Sequence, residues 1–191
     1  ILGTADDNPT DIAVGSFNSD ITNGGDTNID FAVVNQNTDN VSIFLTDGAG
    51  NPGAAANVDV GTTPVAIAAG DFNGDGFVDL VTANRGSDDV SVLLGDGAGA
   101  FAETPFPGGG NFPTGVATGD FNGDGIDDIV VNNSGNRVVT VLINDGTGNF
   151  PTAVSTQIVN TFFFNTGRIT AADYNGDGIA DVGVPGFSNF T

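Results

Sequence analysis

The chain repeats itself, and that repeat restricts its fold more than any other feature. Three stretches align without gaps: Gly70-Asp71-Phe72-Asn73-Gly74-Asp75-Gly76, Gly119-Asp120-Phe121-Asn122-Gly123-Asp124-Gly125 and Ala172-Asp173-Tyr174-Asn175-Gly176-Asp177-Gly178. Asp71 and Asp120 are 49 positions apart, and Asp120 and Asp173 are 53 apart, with a four-residue insertion around Thr161-Phe162-Phe163-Phe164. A fourth copy lies upstream at Gly15-Ser16-Phe17-Asn18-Ser19-Asp20. Its loop is longer and runs through Asp26 to Asp30. Ser16 and Asp71 are 55 apart; subtracting the six extra loop residues restores 49.

A second motif alternates with the first. Val41-Ser42-Ile43-Phe44-Leu45, Val90-Ser91-Val92-Leu93-Leu94 and Val139-Thr140-Val141-Leu142-Ile143 each run into an Asp-Gly turn, at Asp47, Asp96 and Asp145. Short β-branched runs bounded by such turns are strand and hairpin signals. One unit then reads as strand Pro64–Gly70, loop, strand from Leu80, strand from Val90, turn, and a weaker strand after Phe101. No stretch has a helical period. The expectation is an all-β fold of four-stranded blades of the β-propeller type. It has about three and a half repeats in one domain spanning 1–191, at approximately 9–56, 64–109, 113–159 and a partial 168–191. A β-sandwich or a parallel β-helix would share many of these signals. Phe72, Phe77, Phe101, Phe121 and Phe150 recur in register and read as blade core; the Phe162-Phe163-Phe164 run reads as core or as a contact patch.

Charge narrows the function. The chain carries 24 acidic residues against three basic ones, for a net charge of −21. Nucleic acid and anionic membrane surfaces are poor partners for it, because both are bound by clustered Lys and Arg. No apolar run approaches the length of a membrane span. Of the acids only Glu103 is a glutamate; the rest are aspartate, the short carboxylate suited to tight loops. Cys, His and Lys are all absent, which removes the commonest nucleophile and general-base side chains. No catalytic residues are expected, and the chain reads as a non-enzyme.

The repeated loop is Asp-x-Asn-x-Asp-Gly-x-x-Asp. In one copy, alternate positions Asp71, Asn73 and Asp75 turn side-chain oxygens to one interior, Phe77 offers its carbonyl and Asp79 closes the shell. The other copies supply Asp120, Asn122, Asp124, Ile126 and Asp128, then Asp173, Asn175, Asp177, Ile179 and Asp181. Hard oxygen donors in a flexible loop suit Ca²⁺ better than Mg²⁺. Three carboxylates in one loop repel each other, and a divalent ion relieves that. A polar turn needs one Asp or Asn, not four oxygens in fixed order. The set closes at position nine between strands, with no Glu at position twelve and no flanking helices, so it is not an EF-hand. The upstream loop has Ser16 in the first place, and offers Asn18, Asp20, Asp26 and Asp30 as a weaker fourth site.

Asp-Phe-Asn-Gly-Asp-Gly, followed by a strand and then Val-Ser-Val-Leu-Leu-Gly-Asp-Gly-x-Gly-x-Phe, resembles the FG-GAP/VCBS repeat, the blade of integrin-α-type propellers. The resemblance covers roughly residues 9 to 185. It implies calcium in the blade loops, a seven-bladed propeller as the usual fold, and an extracellular or cell-surface adhesion or structural role with protein or glycan partners. The expanded first loop and the partial last repeat depart from the pattern. The expected completion of the last blade is self-association, in a multi-chain propeller or a filament. A calcium-dependent lectin and a non-catalytic accessory domain of a larger secreted enzyme are the alternatives; the lack of Trp and the single Tyr174 argue against sugar stacking.

Overall fold

A computed structural model describes residues 7–18, 28–47, 49–157 and 168–184. The described residues contain strands and turns and no helix. Four strands, β1 (Pro9–Gly15), β2 (Asp30–Asn35), β3 (Asn40–Phe44) and β4 (Ala56–Asp59), form the first blade. The second blade is β5 (Pro64–Gly70), β6 (Asp79–Asn84), β7 (Asp89–Gly95) and β8 (Phe101–Pro107). The third is β9 (Pro113–Gly119), β10 (Asp128–Asn133), β11 (Val138–Ile143) and β12 (Thr152–Gln157). A two-stranded piece, β13 (Thr170–Ala172) and β14 (Asp181–Gly183), follows. Every sheet is an antiparallel meander in sequence order. The expected weak strand after Phe101 is β8, and the four-stranded blade architecture is as the repeat implied.

First strands lie side by side: β1 packs on β5, β5 on β9 and β9 on β13. Blades therefore stack face to face, as in a propeller. A central strand is then buried on both faces, and the pleat alternates its side chains between two neighbours. In β6, Leu80 packs against the first blade and Val81 and Ala83 against the third. The first interface joins Ala32, Val34, Val41 and Ile43 to Ile67, Leu80 and Leu93. The second joins Val81, Ala83, Val90 and Val92 to Val116, Ile129 and Leu142. Residues 49 positions apart play the same part in each. Phe72 is fully buried and meets Phe150 edge to face, while Phe17 meets Phe101 in the same way.

Polar residues tie each blade together inside. Asn35, Asn84 and Asn133 end the second strands, are buried, and donate to Ser42, Ser91 and Thr140 on the third strands. Between blades, Asp39 accepts from the Thr63 amide at 2.7 Å and Asp88 from the Phe112 amide at 2.7 Å. The third blade has Arg137 at that place, with the same left-handed backbone (φ 58) as Asp39 (φ 53) and Asp88 (φ 60). The clamp residue changes just before the insertion. Thr161 to Phe164, and the last residues 185–191, lie outside the described residues.

Candidate functional site

Each Asp-rich loop joins the first and second strands of its blade. In loop 71–79, Asp71 accepts from the Gly74 amide through Oδ1 (2.8 Å) and from the Gly76 amide through Oδ2 (2.9 Å). Asn73 Oδ1 accepts from the Asp75 amide at 3.0 Å, and Asp75 Oδ1 from the Phe77 amide at 2.8 Å. Gly74 and Gly76 carry φ of 71° and 82°, which a residue with a Cβ rarely adopts. The tight coil is thus written into the two glycines and three short polar side chains.

Loop 120–128 repeats the arrangement. Asp120 accepts from Gly123 and Gly125, Asn122 from Asp124, and Asp124 from Ile126, all between 2.6 and 2.9 Å. In loop 173–181, Asp173 accepts from Gly176 and Gly178, Asn175 from Asp177, and Asp177 from Ile179. Positions one, three and five therefore accept from matching backbone amides in all three loops. Amides from Gly178 and Gly176 hold the Asp173 carboxyl below its ordinary range. Burial pushes Asp120 the other way, but amides from Gly125, Gly123, Asn122 and Asp124 outweigh it and the net shift is downward. Both carboxylates are thus favoured in the ionised form, the form that ligates a cation.

Position nine does more than the spacing suggested. Asp79 is fully buried; its Oδ2 accepts from the Phe72 amide and its Oδ1 from the Gly95 amide, each at 2.8 Å. Asp128 takes Phe121 and Asn144 in the same way, and Asp30 takes Phe17 and Thr46. Asp181 accepts from the Tyr174 amide at 3.1 Å. The ninth aspartate staples the start of its loop to the end of the third strand. Burial raises the carboxyls of Asp79 and Asp128, and their amide partners only partly offset this. Sequence reading missed the staple because its second partner lies 16 residues on.

The donor set fits a hard cation. It consists of oxygens only, and each carboxylate oxygen of Asp71 uses one of about two lone-pair sites on an amide, leaving acceptor capacity. Among the described residues no three acidic side chains are gathered into a ready metal cage. Binding therefore calls on Asn73 and the Phe77 carbonyl as well as on the acids. In the upstream loop, the Ser16 hydroxyl lies 3.5 Å from the Asn18 carbonyl, Asn18 bridges to Ala98, and Asp30 is the staple. Asp20 and Asp26 lie outside the described residues.

Loops also touch across blades. Val78, Asp127 and Ala180 share position eight, and each abuts the glycine that opens the preceding loop, Gly15, Gly70 and Gly119 respectively. Asp127 Oδ2 accepts from the Asp71 amide at 3.3 Å, and the Ala180 amide donates to the Asp120 carbonyl at 2.7 Å. Burial, with the charges of Asp71 and Asp120 adding to it, raises the Asp127 carboxyl. Neither Asp127 nor this contact was legible as functional from spacing.

The FG-GAP-like repeat model matches residues 25–82, 71–131 and 120–184. The chain belongs to the FG-GAP-like repeat family. No curated protein sequence matches it. Among solved structures, it is similar to the V. cholerae biofilm matrix protein Bap1, at 20% identity and a TM-score of 0.58 over 92% of this chain. It is also similar to the Tc holotoxin pore of Photorhabdus luminescens, at 19% identity and a TM-score of 0.50 over 81% of this chain. The chain spans 28% and 8% of those two proteins' lengths. At such identity the likeness is one of fold.

Proposed function

We propose that this chain is a calcium-stabilised, non-catalytic repeat module of an extracellular scaffold, used in adhesion or assembly. The observation that carries the proposal is the threefold recurrence of one loop conformation, in 71–79, 120–128 and 173–181, with oxygen-bearing side chains of the same type at the same positions. Asp71, Asn73, Asp75 and the Phe77 carbonyl would hold one ion, and the matching residues of the other loops would hold two more. Calcium supplies charge neutralisation and a cross-link between loop positions. The chain's own residues do the rest: glycines at positions four and six set the coil, and the ninth aspartate anchors it to the sheet. The biofilm matrix protein among the structural neighbours supports placement outside the cell.

Isothermal titration calorimetry with calcium tests the reading. About three ions per chain are expected, with affinities near those of extracellular modules, so that millimolar calcium adds roughly 1–2 kcal/mol per site. EGTA should lower the melting temperature. Zero bound ions and an unchanged melting curve would reject it.

Self-association is part of the proposal. Val139, Val141, Val154, Thr156, Val182 and Val184 line an apolar groove of about 280 Å³ beside β14. In the preceding blade the equivalents of Val139 and Val141 are Val90 and Val92, fully buried in a core shared with Ile129 and Leu142 of the next blade. A strand from a second copy, laid along this groove, would complete the blade. A single monomeric species by light scattering in calcium buffer would exclude it.

A further inference from the structure

We propose that Asn144 is a positioning residue shared by two calcium loops, so that occupancy of loop 71–79 and of loop 120–128 is coupled; this rests on the calcium reading above. Asn144 follows β11 and is 3% exposed. Its side-chain amide donates to the Phe72 carbonyl at 2.8 Å and to the Asp127 carbonyl at 2.9 Å. Phe72 is position two of one loop, and Asp127 is position eight of the next. The Asn144 backbone amide donates to the Asp128 staple at 2.8 Å, and its Oδ1 accepts from Gly146 at 3.0 Å. Every polar group of this residue that could report on loop geometry is thus committed to one loop or the other, or to the turn that carries it. Gly148 adds a second amide to the Phe72 carbonyl at 2.9 Å.

The arrangement is peculiar to this blade. Thr46 and Gly95 occupy the same place in the first two blades; both keep the backbone bond to the staple aspartate, and the Thr46 hydroxyl also donates to the Ile29 carbonyl at 3.1 Å, the counterpart within its own blade of the Asp127 carbonyl. At Gly95 a Cβ would come within 2.4 Å of the Val78 carbonyl, so that blade admits no side chain there. Among the described residues, a side chain at this place bridges two loops in the third blade alone, and those loops are 71–79 and 120–128. An ion that sets the backbone of either loop sets the Asn144 amide, and the amide presents the other loop already ordered. Coupling of this kind is reciprocal: each ion tightens the other by the same factor.

A cycle of variants read by calcium calorimetry tests it. Asp75→Ala disables loop 71–79. In the native background this should weaken binding at loop 120–128 about fivefold, the low end of usual couplings. In an Asn144→Gly background it should have no effect on that loop. Loop 173–181 touches loop 120–128 through the Ala180 amide, so the comparison is between backgrounds: a merely structural defect would lower all sites alike with and without Asn144, whereas the coupling vanishes only without it. Asn144→Asp, which keeps the volume and loses both donors, should behave as the glycine variant does and serves if that one does not fold. Independent sites with Asn144 present, or unchanged coupling in both Asn144 variants, overturn the inference while leaving the calcium reading intact. A chain that binds no calcium at all overturns the calcium reading itself.

Discussion

The second and third blades carry nearly the same pattern and live in different surroundings. Val90 and Val92 in β7 are fully buried; Val139 and Val141, at the same register in β11, are half-buried and line a groove. The difference is not in the strands. The second blade is followed by a complete four-stranded neighbour, and the third by two described strands. A blade face is thus apolar by sequence but buried only by its neighbour, and the same valine contributes differently in the two places.

Substitutions at matched positions sharpen that contrast. The largest effect should come from the staples. Asp79→Ala would leave the Phe72 and Gly95 amides without an acceptor inside the fold, at about 1–3 kcal/mol each. Asp181→Ala, in the two-stranded piece, should cost a small fraction of that, because its surroundings are more open. Urea unfolding of both variants compares them; equal losses would mean that the staple is not what holds the second blade.

The core valines come next. Val92→Ala should cost about 2 kcal/mol from lost burial, and Val141→Ala clearly less than 1 kcal/mol. If Val141→Ala costs as much as Val92→Ala in the same unfolding assay, the groove is filled in solution. Calcium-dependent light scattering would then show whether a second copy fills it.

A smaller effect concerns one buried amide. Asn84 Oδ1 accepts from the Thr82 hydroxyl at 2.9 Å, whereas the third blade has Val131 at that place and Asn133 Oδ1 finds no hydrogen-bond partner among the described residues. Val131→Thr should therefore stabilise the third blade, and Thr82→Val destabilise the second, each by about 1 kcal/mol. Differential scanning calorimetry reads both, and shifts of the same sign would contradict the comparison.

Acid gives the mildest probe. In the exposed turns, the carboxyl of Asp96 is held below its usual range first by the Ala98 amide, and that of Asp145 first by the Thr147 hydroxyl. A depressed carboxyl stabilises the fold above its unfolded value and loses that contribution as pH falls through its folded value. The two turns should therefore weaken only below about pH 4. Asp96→Asn and Asp145→Asn should flatten the acid limb of a stability profile measured from neutral pH downward, by similar amounts in both blades. Asp79 and Asp128, whose carboxyls are raised chiefly by burial, work in the opposite sense: they disfavour the fold as pH rises past the ordinary carboxylate range.

The sequence alone determined the repeat, its period, the four-stranded unit and the three Asp-rich loops, because strand pairing, Asp-Gly turns and alternate-position side chains are local matters of backbone geometry. Asp71, Asn73 and Asp75 are legible since they act within five residues of one another. Only the tertiary structure decided that Asp79 and Asp128 are staples, that Asn84 and Ser91 form a buried pair, and that Asn144 touches two loops. Those roles depend on partners as far as 72 residues away, brought close by face-to-face stacking of blades. No periodicity encodes such a contact, because it exists only after two sheets have met.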